Sequence, residues 1–150
     1  MKEAFYVYNN EAIASCVLLS VIDQLGEIDI SRCCLVLPFL LDDRTTKYVL
    51  KNFDDNVNLL DFVSSQPAIF ASFNKRYLSL FPVMINSLMI LKKTNQIGIS
   101  NLIESKRDLK FLSSKMGERF SEIEECIPVF LKLILNYPTE QLYTIFRIQL

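Results

Sequence analysis

Carboxylates come in adjacent groups along this chain: Asp42-Asp43, Asp54-Asp55, and Glu122 with Glu124-Glu125. Such groups are the usual ligands of Mg²⁺. A metal-dependent nuclease or hydrolase needs carboxylates converging from several elements beside a helper base, and nothing in this spacing requires that. The chain has no histidine, which removes the usual general base, every His-dependent triad and most catalytic zinc sites. Gly26, Gly98 and Gly117 stand singly, so there is no glycine-rich phosphate loop. Cys16, Cys33, Cys34 and Cys126 form no C-x-x-C pair and lie among apolar residues. They read as small buried hydrophobes suited to a reducing compartment. No catalytic residue, metal or cofactor is expected of this chain.

Two features point to binding. Lys92 and Lys93, followed by Lys106, Arg107 and Lys110 and then Lys115 and Arg119, form a basic group that could meet a phosphate backbone. A solvated basic face, or a contact with an acidic partner protein, is the plainer reading. Arg76 is different in kind. It sits within an apolar helical pattern, three residues after Phe73, where a charge must be paired or must face an interface. Asp61 is the local candidate partner.

The elements that must position these residues are mainly helical. There are 3 glycines against 11 phenylalanines, and apolar residues recur at helical spacing. Asn9 or Asn10 can cap a first helix that ends at Gly26 and is apolar almost all round. Asp29 or Ser31 can cap a second through Cys33–Leu41, where Pro38 forces a kink or a restart near Leu37. Asp42 and Asp43 end that block or turn into a short segment, Thr45 to Lys51. Asn58 caps a short helix, Leu59 to Ser64. Ser65 then starts a run with Pro67 in its first turn, continuing from Ala68 to about Lys93 with a bend at Pro82. Alternation at Ile97 and Ile99, and again at Leu109 and Phe111, predicts a β-hairpin across Gln96–Phe111 with its tip at Glu104 to Asp108. Ser113 or Ser114 caps a helix to about Tyr137, with Pro128 interrupting it, and a short helix from Glu140 to Phe146 follows. The fold class is a mainly α, compact helical domain over residues 1–150 with a small β-hairpin. Its order of elements outlines a winged helix.

Composition adds a partner. The chain is 51% hydrophobic with a mean hydropathy of +0.25, where soluble chains carry about 45–50% apolar residues even with glycine counted. The surplus points to apolar surface buried against another protein, the alternative being a dense all-helical core with no partner. Net charge is −1, so there is no global pull toward nucleic acid, but the charge is polarised. Residues 1–70 carry 5 basic and 10 acidic residues, and residues 71–119 carry 9 basic and 3 acidic. Different faces can therefore meet different partners. No apolar run approaches the roughly 20 residues that span a bilayer, and a cytoplasmic location is expected.

The block Leu35-Val36-Leu37-Pro38-Phe39-Leu40-Leu41-Asp42-Asp43-Arg44, followed by Phe73, Arg76, Leu80 and Pro82, carries a family likeness. With Asn9-Asn10, Ile97–Ser100 and the tail Leu142-Tyr143-Thr144-Ile145-Phe146-Arg147, it resembles the middle component of bacterial three-component ABC systems over nearly the whole chain. That family includes the small subunit of Lamassu-type anti-phage defence. The sequence departs from the pattern where Asn10 replaces a common proline, where Asp42-Asp43-Arg44-Thr45-Thr46 replaces a more basic exit, and in a tail without glycine. The resemblance implies a non-catalytic connector between an SMC-like ABC ATPase and an effector, often a nuclease, in a hetero-oligomer that handles DNA. It makes Arg44, Phe73 and Arg76 candidate partner-interface residues. Lys92, Lys93, Lys106, Arg107 and Lys110 are the candidate nucleic-acid contacts. The alternative is a stand-alone winged-helix DNA-binding regulator, which would need a strongly basic recognition helix.

Overall fold

The computed structural model describes residues 9–54, 56–106 and 117–150. Its first helix, α1 (Glu11–Leu25), starts where Asn10 Oδ1 accepts from the Ala12 and Ile13 amides at 3.0 and 3.3 Å. Glu11 complements the positive helix end. The helix stops at Gly26, whose φ of 81° lets its amide turn back to Ile22 O at 2.7 Å. Seven of its residues are buried, from Ala14 to Ile22, as its nearly continuous apolar surface requires. It packs against helices on several sides and is the central rod of the molecule.

The Pro38 block restarts rather than kinks. Asp29 caps α2 (Ile30–Cys33), accepting from the Arg32 amide at 3.0 Å. The chain leaves the helix at Cys34 and Leu35 and resumes in α3 (Val36–Leu40), all of it buried. Pro38 then lies in the first turn of α3, where a backbone N–H has no helical partner to lose. Asp42 opens α4 (Asp43–Asn52) by accepting from the amide and hydroxyl of Thr45 at 3.1 and 2.7 Å. Asn58 caps α5 (Leu59–Ser65) through the Asp61 amide at 2.8 Å.

The expected helix from Ala68 to Lys93 is two helices. The short α6 (Pro67–Phe70) ends at Ala71, and α7 (Phe73–Lys93) begins after Ser72. Pro82 stands inside α7 on its exposed side, so the carbonyl it leaves without a donor can take water. After α7 come strands β2 (Ile97–Ile99) and β3 (Ile103–Ser105), antiparallel with Gly98 opposite Glu104. The tip of the hairpin is therefore Ser100 to Leu102 instead of the expected Glu104 to Asp108. Leu109, Phe111, Ser113 and Ser114 lie outside the described residues. A third strand, β1 (Glu27–Ile28), pairs antiparallel with β3, giving the sheet order β1-β3-β2. Ile28, Ile97 and Ile103 form its buried face.

The chain closes with α8 (Glu118–Leu135) and α9 (Thr139–Ile145). Helix α8 packs on α4 and α1. The core centres on aromatic rings drawn from many elements. Phe39 of α3 lies 4.9 Å from Phe130 and within 6.4 Å of Phe62, Phe70 and Phe146. Phe146 stacks on Phe73 at 4.2 Å with the rings inclined by 10°.

Candidate partner interface

The structure brings Arg44, Phe73 and Arg76 together, for a reason rooted in the short helices around them. A four- or five-residue helix leaves most of its carbonyls without an amide partner. Arg76 supplies the missing donors. Its Nε donates to Pro38 O in α3 (3.1 Å), and its Nη1 donates to Ile69 O in α6 (2.9 Å). Nη1 also reaches Ser72 Oγ at 2.7 Å. The guanidinium carbon lies 5.2 Å from the centre of the Phe73 ring. Asp42 Oδ1 is 3.8 Å from Nε and supplies the opposite charge. The residue is 8% exposed. Burial lowers its pKa, with Asp42 pulling the other way and Arg44 adding to the lowering. Arg76 Nη2 is buried without a hydrogen-bond partner.

Arg44 repeats the theme at the surface. It donates to Ala68 O at 3.4 Å, to Ser72 Oγ at 3.2 Å and to Asp42 Oδ1 at 3.5 Å. Its side chain keeps about half of its surface in water. Asp42 is thus the acid of this cluster, in place of the expected Asp61. Asp61 lies in the first turn of α5 and lines a cavity of about 150 Å³ with Tyr48, Phe53 and Leu133. Phe73 is wholly enclosed. Of the three candidate partner-interface residues, Phe73 and Arg76 are buried in the isolated chain, and Arg44 is the one with an exposed side chain.

A second polar group lies nearby. Tyr143 of α9 donates to Ser31 O at 2.7 Å, and its hydroxyl is 3.3 Å from that of Tyr77 in α7. Burial raises the pKa of both phenols and of the adjacent Cys34 thiol. These groups stay neutral and tie α9 to α7 and α2. Among the described residues, no three Cys, Asp or Glu side chains gather as metal ligands would.

The basic residues divide. Lys92 and Lys93 are exposed at the end of α7. Lys106 follows β3, also exposed, and its side chain runs across β2 at Gly98, where a Cβ would come within 2.5 Å of Lys106 Cε. These three share the hairpin end of the molecule. Arg107 and Lys110 lie outside the described residues. Arg119 is built into the fold, donating to Asp43 Oδ1 at 3.1 Å, Asn9 Oδ1 at 2.7 Å and Leu41 O at 3.3 Å.

One surface feature escapes residue-by-residue reading. Leu78, Phe81, Ile85 and Met89 of α7 are 39–52% exposed and recur at helical spacing on one face. Pro82 extends that face, and Ile90 is a further exposed apolar side chain of α7. The opposite face, with Tyr77, Leu80, Met84, Leu88 and Leu91, faces the core. The signal was present in the sequence, because a helix with two apolar stripes has one more than a single core can cover. No described helix is long and apolar enough to cross a membrane.

One family model matches the chain. It is the ABC-three component (ABC-3C) system Middle Component 3 model, over residues 2–149. No curated protein and no solved structure matches.

Proposed function

The chain belongs to the Middle Component 3 family of ABC-three component systems, and on that premise we propose that it is a non-catalytic connector. In this reading it joins an SMC-like ABC ATPase to an effector, a nuclease in the simplest case, within an anti-phage or anti-plasmid complex of the Lamassu type. The observation that carries the connector role is the second apolar stripe of α7. A helix that is apolar on both faces and covered on one needs another protein for the other. The polarised charge of the chain supports it further, since acidic and basic regions suit separate partners.

The alternative, a stand-alone winged-helix DNA-binding regulator, has one observation in its favour. A helix, a strand, further helices and a hairpin, with the first strand set against the hairpin's second, is the winged-helix order of elements. The helix that precedes the hairpin is α7, where such a regulator would carry its groove-reading residues. Here that helix offers Leu78, Phe81, Ile85 and Met89, with lysines only toward its ends. A winged-helix frame turned to protein contact accounts for both facts. Lys106, exposed after β3, remains available to touch DNA inside the assembly.

Co-expression with the ATPase and effector components of its system, followed by affinity purification and mass determination, tests the proposal. A stable assembly containing the ATPase is expected. A chain that joins neither component, and that shifts DNA in a gel on its own, would overturn the connector reading in favour of the regulator.

A further inference from the structure

The stripe on α7 has a definite shape and a definite charge around it. From Leu78 to Met89 it runs roughly 16 Å along the helix at 1.5 Å per residue, the length of a short helix laid against it. Lys75 lies beyond one end, and Lys92 and Lys93 beyond the other, all exposed. Helix α7 carries no acidic residue. A surface that is apolar along its middle and positive at both ends is complemented by an amphipathic helix with acidic residues flanking its apolar face.

A second copy of this chain fits less well. An antiparallel pair of α7 helices would superpose the stripes, with Leu78 facing the other copy's Met89. The same register would set Lys75 beside Lys92, a like-charge contact at both ends. We propose, resting on the connector reading, that the exposed face of α7 seats an acid-flanked amphipathic helix of another component of the system. The apolar residues supply the affinity, and the three lysines fix the register in which that helix lies.

The test uses the full chain co-expressed with the ATPase and effector components. A photo-crosslinking residue placed at Phe81 or Ile85 captures whatever covers the stripe, and mass spectrometry identifies the captured peptide. An acid-flanked helical segment of one component is the expected product. The variant Phe81→Asp with Ile85→Asp should weaken that component's binding by about 30-fold or more, the scale of losing a hot spot. Charge reversal of Lys75, Lys92 and Lys93 to Glu should weaken it about tenfold and flatten its salt dependence. The reversal touches only exposed side chains, so it serves if the double variant fails to melt cooperatively. A cross-link to a second copy, or to a segment without acidic flanks, would overturn the proposal. So would an assembly that survives the substitutions with unchanged affinity; the connector reading would then stand with its interface elsewhere. Failure of the unaltered chain to assemble would overturn both.

Discussion

Arg76 holds together parts of the chain that are far apart in sequence, because its guanidinium bonds carbonyls of α3 and α6 and packs on Phe73. Arg76→Met keeps the bulk and removes the donors, leaving Pro38 O and Ile69 O without them. The expected loss is roughly 3 kcal/mol of stability, read from the urea midpoint at constant slope. Arg76→Lys should recover little of it, since a single ammonium cannot span both carbonyls as the planar fork does. A loss below about 1 kcal/mol would show the bonds to be replaceable by water. Phe146→Ala removes the ring stacked on Phe73 at the centre of the aromatic cluster, and about 3–5 kcal/mol is expected to go with it. That Arg76 needs a partner was legible, because charge inside an apolar period is a local signal. Which groups answer it was not. Asp61 is nearer in sequence, but the folded chain brings up Asp42 and two carbonyls instead, and those depend on where α3 and α6 happen to stop.

At the scale of elements, helix ends were the most legible feature, since their chemistry is local. Asn10, Asp29, Asn58 and Gly26 occupy the cap positions that their residue types favour. Strand β1 carried no such signal. It is 2 residues long, and its partner β3 lies more than seventy positions away. The hairpin tip was misplaced because the alternation at Leu109 and Phe111 drew the second strand away from Ile103–Ser105, where β3 lies. The break at Ala71 and Ser72 was hidden because Ser72 spends its hydroxyl on Arg76 and Arg44, so no cap bond marks the start of α7. Helix α7 also yields a prediction. Pro82 costs a helix up to about 3 kcal/mol relative to Ala, partly offset because proline also restricts the unfolded chain. Pro82→Ala should raise stability by about 1–2 kcal/mol, measured by urea unfolding of the otherwise unaltered chain. A lowered midpoint would mean that the proline ring packs usefully against its neighbours.

Across the whole molecule, buried thiols and phenols make stability depend on alkaline pH. Burial pushes the Cys126 thiol up to about 12, with Glu125 and Glu122 adding to it. It raises Cys33, Cys34, Tyr77 and Tyr143 in the same direction. Unfolded, these groups release protons near their ordinary values of 9.0 for a thiol and 10.0 for a phenol. Above those values the unfolded chain binds fewer protons than the folded one, so stability falls as pH rises. The contribution is fully present below about pH 8.5 and is lost as pH climbs toward the folded values. Urea midpoints should hold steady from neutral pH to about 8.5 and then decline through about 10.5. Cys33→Ala with Cys126→Ala should lower stability at neutral pH and make the alkaline decline shallower. An unaltered decline would assign it to other groups.

The aromatic cluster also makes the protein its own optical probe. The chain has no tryptophan, so its near-ultraviolet circular dichroism comes from phenylalanine and tyrosine without the broad indole bands that usually cover them. Phe39, Phe73, Phe130 and Phe146 are fixed in asymmetric contact by elements from both halves of the chain. Their signal therefore reports side-chain order across the centre of the fold, while the far-ultraviolet signal reports helix. A variant or condition that keeps the second and loses the first has loosened its packing without unwinding, and no label is needed to see it.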